Sequence, residues 1–163
     1  MAVATSTWFE LVTALIAKLR ANATITGATY KTVVTDGPVL AGGDRPNLLF
    51  VGAQPSNADW GDAAGDFTQT WGELGARARY EDVTVLCELV VQAGESRLER
   101  RRTDAQVLLA AVESDLRTDF TLSIGRLLWC HISAAAFSQR QDANGCALIV
   151  AFTVTGRARL ASQ

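Results

Sequence analysis

The sequence is poor in the residues that most enzyme and metal sites need. It has one histidine, His131, and three cysteines, Cys87, Cys130 and Cys146, none of them in the C-x-x-C spacing of a zinc or redox site. Cys130 and His131 are adjacent in a strand-like run, so their side chains would point to opposite faces and could not readily share one metal ion. There is also no G-x-x-x-x-G-K phosphate loop. We therefore expect reduced core cysteines, a structural His131, no metal, no cofactor and no enzymatic activity.

Basic charge and long apolar runs are also scarce. The formal net charge is −2, from 15 basic and 17 acidic residues, and Lys18 and Lys31 are the only lysines. This balance argues against a dominant nucleic-acid-binding surface. No stretch approaches the roughly 18 apolar residues of a membrane span, and no basic region precedes an apolar run at the N-terminus. We expect a soluble protein made in a cytoplasm, with no membrane partner.

Alternating apolar residues are abundant and predict a sheet. A chain of 163 residues with 48% hydrophobic content suits a single domain over residues 1–163. Residues 78–92 predict a long central strand, because apolar residues occupy alternate positions and share one face. Those residues are Val83, Val85, Cys87, Leu89 and Val91. Further strands are predicted over residues 29–35, 48–52, 126–138 and 146–159.

Two stretches have helical periodicity. Apolar residues recur at steps of three and four over residues 8–20, where Thr7 and Glu10 form a capping-box pattern. Thr103 and Gln106 repeat that pattern ahead of a second helix to about Arg117. The predicted order is α-β-β-β-α-β-β. The fold class is therefore α/β in the α+β sense, a single mixed, mostly antiparallel sheet with two helices packed on one face.

The last two predicted strands are apolar on both faces. Strict alternation puts Leu128, Cys130, Ile132, Ala134 and Ala136 on one face of the first strand, and Leu127, Trp129 and Phe137 on the other. Two helices can cover only one face of such a sheet, so loops from residues 37–75 or a second copy of the chain must cover the other. The apolar run over residues 146–152 should be interior or paired, because an exposed edge of that kind aggregates.

Residues 37–75 predict a loop-rich insertion that holds all three prolines. Its aromatic residues either pack on the domain or face a partner: Trp60, Phe67 and Trp71. Its carboxylates are more typical of a solvated loop than of an acid–base pair: Asp59, Asp62, Asp66 and Glu73.

One concentrated basic patch is present. It consists of Arg97, Arg100, Arg101 and Arg102. It is either a solvated turn, partly neutralised by Glu99, or a contact for phosphates or an acidic partner.

The order of these segments resembles a known family. An amphipathic helix is followed by VVTDGPV at Val33 to Val39, a short LLFVG strand, WGELGARARYEDVTVLCELVVQAG at Trp71 to Gly94, and an arginine-led helix ending AAVESDLRTDFTL. Over about residues 7 to 159 this order resembles the tail terminator family of long-tailed bacteriophages, the minor tail protein U-like or head-tail joining proteins.

The resemblance implies a virion structural protein at the head-proximal end of the tail, assembled in the host cytoplasm. Such proteins form a ring, expected to be a hexamer, that caps the tail tube, stops tube polymerisation and offers a docking surface to the neck of the head. The implied partners are other copies of the chain, the tail-tube protein and a neck or head-completion protein. DNA would pass through the lumen without specific binding, which the acidic character of Asp59 to Glu73 would suit.

A ring closes through head-to-tail contacts, so each subunit needs two different complementary patches. One candidate is formed by Trp60, Phe67 and Trp71, and another by the entry of the long strand at Arg77, Arg79 and Glu81. Two alternative functions stay open. One is another neck or tail-tube subunit, such as a head-closure protein. The other is a small ligand-binding module or enzyme that uses residues 37–75 as a lid.

Overall fold

The computed structural model describes residues 6–38, 47–56, 63–72, 78–94, 97–142 and 145–161. In these ranges the chain forms one mixed, mostly antiparallel sheet with two long helices, as the sequence predicted, and the sheet has six strands where five were predicted. The elements in chain order are α1 (Trp8–Ala21), α2 (Ala23–Thr26), β1 (Val33–Asp36), β2 (Asn47–Val51), β3 (Gly65–Trp71), β4 (Ala78–Ala93), α3 (Leu98–Thr118), β5 (Leu127–Asp142) and β6 (Gly145–Ala161).

The sheet is built around β4 and β6. Its strand order is β1-β2-β4-β6-β5, and β3 also pairs with β4. β4 and β6 are antiparallel over their whole lengths, from Ala78 opposite Ala161 to Ala93 opposite Cys146. The predictions of a central strand at residues 78–92 and of an interior strand at residues 146–159 are confirmed. Only β1 and β2 run parallel among the described strands.

β2 and β3 share the same edge of β4, one after the other. β2 pairs with β4 as far as Val51 opposite Cys87, and β3 resumes at Gly65 opposite Val85. Between them the chain leaves the sheet, although the Ala53 amide donates to Leu86 O and the Leu86 amide donates to Ala64 O, each at 3.0 Å. Trp8 closes this gap by donating its indole N–H to Thr84 O at 3.1 Å. β2 and β3 therefore pair with successive parts of the same edge of β4.

α1 and α3 cover one face of the sheet and enclose the core. The apolar stripe of α1 and that of α3 pack against the odd-numbered residues of β4 and the even-numbered residues of β6. Their fully buried leucines include Leu11, Leu15, Leu19, Leu108 and Leu116. Burial of one such side chain contributes about 1.5–3 kcal/mol, so this face supplies most of the packing that holds the domain together.

Both predicted capping boxes are wrong. The Thr7 side chain makes no cap hydrogen bond, because its backbone amide donates instead to the carboxylate of Glu81 on β4, at 2.6 Å. Glu10 forms an ion pair with Arg126 at 2.8 Å. Thr103 lies inside α3, where its hydroxyl donates to Glu99 O at 3.3 Å.

α3 starts five residues earlier than predicted, so the basic patch is helical. Leu98 and the arginines after it are good helix formers, and Arg101 pairs with Asp104 at 3.3 Å, one helical turn further on. These local preferences extend the helix through the stretch that had been interpreted as a turn.

The first half of the chain differs from the prediction in three elements. Residues 23–26 form the short helix α2, where the Asn22 side chain accepts a hydrogen bond from the Thr24 amide at 2.8 Å. The predicted strand at residues 29–35 shrinks to β1, because residues 28–30 form a turn. β3 lies in a region predicted to be loop-rich, since paired backbone rather than apolar alternation makes it a strand. No helix in the described ranges is both long and apolar enough to cross a membrane.

The predicted faces of β5 are wrong in part because the strand contains two irregularities. The register shifts between Leu127 and Trp129 and again between Ile132 and Ala134, and each β-bulge changes the alternation of side chains. The residues on the helix side are Leu127, Cys130, Ile132, Ala135, Phe137 and Gln139. The residues on the opposite side are Trp129, His131, Ala134, Ala136, Ser138 and Arg140. Phe137 therefore faces the helices.

Candidate assembly surfaces

The sheet face opposite the helices is only partly covered. At β2, Leu48, Phe50 and Ala53 form a small buried cluster. The chain after β2 turns back over this face, where Ser56 donates its amide and its hydroxyl to the buried carboxylate of Glu88 at 3.0 and 2.9 Å. The expectation that the 37–75 region covers part of this face is confirmed at β2. Over β6 and β5 most residues of the same face are half-buried or exposed, and Ile149 is buried.

One end of this face carries aromatic and charged side chains. The guanidinium of Arg157 lies 5.0 Å from the centre of the Tyr80 ring and 3.7 Å from a carboxylate oxygen of Asp82. On β5, Trp129 and the exposed His131 lie with ring centres 5.1 Å apart. In the structure, His131 therefore contacts the ring of Trp129 on the surface of the sheet.

A second surface lies on the helix side of β3. Phe67 and Trp71 are 49% and 73% exposed. The Arg79 guanidinium lies 5.4 Å from the centre of the Trp71 ring and donates to the Gln69 side-chain oxygen at 3.0 Å. The structure thus places three predicted contact residues, Phe67, Trp71 and Arg79, on one side of the sheet and brings Arg79 against Trp71. Phe67 and Trp71 are exposed, and Arg79 is half-buried.

Glu81 differs from the other predicted contact residues, because it is buried. Its carboxylate accepts hydrogen bonds from the Thr7 amide at 2.6 Å and from Gln69 Nε2 at 3.1 Å. Burial by itself raises the pKa of Glu81, but the hydrogen bonds from Thr7, Gln69 and Ser6 outweigh it and bring the pKa below its ordinary value. Glu81 therefore ties the start of α1 to β4. Through Gln69 and Arg79 it is also connected to the exposed Trp71.

A third surface is the groove between α3 and β5. It has a volume of about 440 Å³, and Leu109 and Phe137 line it. Phe137 is 65% exposed. Arg102 lies at the rim, held by bonds from its Nε and Nη2 atoms to Gln139 Oε1 at 3.1 and 2.7 Å. Because the amide of Gln139 is neutral, it orients Arg102 without cancelling its charge.

The four arginines of the basic patch do not form one surface. Arg97, Arg100 and Arg102 are exposed at the start of α3, whereas Arg101 is buried and pairs with Asp104. Positive charges at a helix N-terminus are disfavoured by the helix dipole, so the exposed arginines do not stabilise α3 through that dipole. Two other predicted residues, Trp60 and Arg77, lie outside the described residues, as do Asp59, Asp62 and Glu73.

The sequence did not single out Phe137 and Gln139 as contact residues. The sequence nevertheless contained a signal for a contact at Phe137, because this large aromatic residue lies in the otherwise polar run FSQRQ. The β-bulge between Ile132 and Ala134 hid its position, since strict alternation placed Phe137 on the face opposite Ile132, whereas both face the helices.

The cysteines belong to the core. Burial raises the pKa of Cys87 to about 12, and burial together with the nearby charge of Asp119 raises the pKa of Cys130 to about 11. Cys146 is also buried, and none of the three forms a disulfide. Within the described ranges, no three His, Cys, Asp or Glu side chains lie close enough together to hold a metal ion.

No protein-family model matches the sequence, and no curated protein is similar enough to count as a relative. The fold, however, is similar to that of a chain in the virion of a native gene transfer agent (GTA) particle. The two chains share 19% sequence identity and superpose with a TM-score of 0.63 over 91% of this chain and 94% of the other. Nearly the whole domain therefore has the fold of a chain found in that virion particle.

Proposed function

We propose that the protein is a virion structural component without enzymatic activity. The observation that carries this proposal is the near-complete overlap of its fold with a chain of the GTA virion particle. Folds are reused for different functions, but here a second, independent feature points the same way. Three exposed aromatic residues, Phe67, Trp71 and Phe137, lie on the outer strands β3 and β5, where contacts with other proteins can form.

Within that class we propose a tail terminator. Its copies would form a ring, a hexamer by the family resemblance, at the head-proximal end of a phage-like tail. One rim of the ring would bind the tube and stop its growth, and the other would dock the neck or head-completion protein. DNA would pass through the lumen without specific binding. Two features of the structure support this proposal: distinct contact surfaces on opposite edges of one sheet, and a half-covered face.

Capping of purified tail tubes tests the proposal directly. Tube protein is allowed to polymerise with and without the purified chain, and electron microscopy measures tube length and the shape of the ends. A terminator should shorten the tubes and leave a ring at one end of each. Tubes that lengthen unchecked would overturn the proposal. Tubes built from this chain itself would instead identify a tube subunit, and binding to the head connector alone would identify a head-closure protein.

A further inference from the structure

Two strand edges on opposite sides of the sheet are open. In the described part of the chain, β5 pairs with β6 alone and β3 pairs with β4 alone. β5 is 16 residues long, and its residues 133–141 are exposed. A long exposed edge presents unpaired amide and carbonyl groups, so it is a ready template for another strand. The unpaired amide and carbonyl groups of one strand edge can pair with those of another, and this chain has two such edges, on β3 and β5.

The directions of the two strands are compatible. Successive neighbours in the order β3-β4-β6-β5 are antiparallel, so β3 and β5 run in opposite directions. A second copy placed beside the first by rotation would bring its β3 against β5 in antiparallel pairing. Within one chain the contact is impossible, because β4 and β6 separate the two strands at about 4.8 Å per step.

The side chains match on the helix side of the sheet. Phe67 is in register with Val83 and Phe137 with Val150, and both of these partners belong to the helix-covered core. Antiparallel pairing of β3 with β5 keeps the two faces aligned. The exposed Phe67 of the second copy would therefore lie beside Phe137, at the mouth of the groove formed by α3 and β5.

The charges match on the opposite side. Asp66 is the only charged residue of β3, and it faces away from the helices, in register with Thr84. Arg140 of β5 faces the same way, in register with Ala147, and both charged residues are exposed. A register that places Phe67 opposite Phe137 puts Asp66 opposite Ser138 and diagonal to Arg140. Diagonal neighbours in a sheet are within reach of long side chains.

From these observations we propose that β3 of one copy pairs with the outer edge of β5 in the next, with Phe67 against Phe137 and Asp66 beside Arg140. The contact is head-to-tail, so each copy uses both edges and repetition generates a ring or a filament. The inference rests on the proposed function in that it names the subunit contact of the terminator ring.

Half-site variants test this contact. Phe67→Asp removes the β3 surface and Phe137→Asp removes the β5 surface. Both side chains are exposed, so both variants should fold, which circular dichroism checks. Sedimentation equilibrium at increasing concentration should show that the wild type self-associates and that the dissociation constant of each variant is raised about tenfold or more. An equimolar mixture should form dimers and stop there, because only one intact pair of edges remains.

The mixture of the two variants distinguishes the proposed contact between β3 and β5 from other modes of self-association. A mixture that stays monomeric, a wild type that stays monomeric at every concentration, or variants that associate as well as the wild type would each overturn the contact. Charge reversal gives a second measurement. Asp66→Arg and Arg140→Asp should each weaken association, and the double variant should recover it at least in part. Failure of the double variant to recover would overturn the placement of Asp66 beside Arg140.

The tube assay distinguishes failure of the contact from failure of the proposed function. Wild-type protein that caps tubes while Phe67→Asp and Phe137→Asp cap them equally well would reject the contact and keep the terminator role. Wild-type protein that self-associates through these edges but leaves tubes uncapped would keep the contact and reject the role.

Discussion

The central and outer strands belong to one sheet but differ in what covers them. On β4 and β6 the helix-side residues Val83, Val85, Val150 and Phe152 are at most 1% exposed. On β3, Gln69 alone is half-buried and the other residues are exposed, and most of the second half of β5 is exposed as well. The central strands β4 and β6 are therefore buried by the helices of the same chain. The outer strands keep large aromatic residues that contribute little to that core, which is typical of surfaces used for contacts with other proteins.

The largest expected effect is a difference in unfolding free energy between variants of two phenylalanines on neighbouring strands, Phe152 and Phe137. Phe152→Ala leaves a cavity in the packed centre and should lower the free energy of unfolding by about 4 kcal/mol. The matched control, Phe137→Ala, removes the same atoms from an exposed position and should change it by less than about 0.5 kcal/mol. Urea unfolding followed by circular dichroism measures both. A large loss of unfolding free energy for Phe137→Ala would show that the outer strand β5 also stabilises the core. It would contradict the difference between central and outer strands.

The next effect concerns the carboxylate that joins the two regions. Glu81→Gln places an amide where the Thr7 amide needs an acceptor, so a buried donor loses its strong partner. We expect a loss of about 2 kcal/mol at neutral pH. The matched control is Glu99→Gln on the exposed surface of α3, which should change stability little. A loss that is equal in the two variants would contradict the role of Glu81.

The contribution of Glu81 should also depend on pH. Because the folded-state pKa of Glu81 lies below the ordinary value of 4.5, ionised Glu81 stabilises the fold at pH values above about 4.5. That contribution is lost as the pH falls through the lowered pKa and Glu81 takes up a proton. The difference in unfolding free energy between the wild type and Glu81→Gln should therefore shrink on acidification. A difference that stays constant or grows at low pH would contradict the lowered pKa.

The central region was predictable from sequence, because apolar alternation reports burial on one face. Val83, Val85 and Cys87 were placed correctly for this reason. Phe137 was not, since each bulge adds a residue that no local pattern reveals. Glu81 was predicted as a subunit-contact residue from its place at the entry of the long strand, and its burial was missed because its donor, the Thr7 amide, is distant in sequence. Prediction succeeded where local periodicity decides the structure and failed where long-range pairing does.

β3 also shows that local periodicity does not reveal every strand. Its sequence, GDFTQTW, has neither apolar alternation nor a buried face. It is a strand because β4 extends past β2 and offers seven further pairing positions, Arg79 to Val85. Phe67 and Trp71 were predicted as contact residues because aromatic residues are unusual in a polar stretch, and the structure shows both side chains exposed. The sequence left open that the backbone presents them on a strand.

The smallest expected effect lies on the uncovered face, at the pair Asp82 and Arg157. Their charged atoms are 3.7 Å apart and both side chains are more than 40% exposed, so water screens the attraction and the pair should contribute less than about 0.5 kcal/mol. A double-mutant cycle with Asp82→Asn and Arg157→Gln measures the coupling in the monomer. Burial of this face in an assembly would exclude water and strengthen the attraction. A coupling that is small in the monomer and larger in an assembly of copies would therefore place this face inside a contact. Equal coupling in both states would leave the face exposed to solvent and confine assembly to the edges β3 and β5.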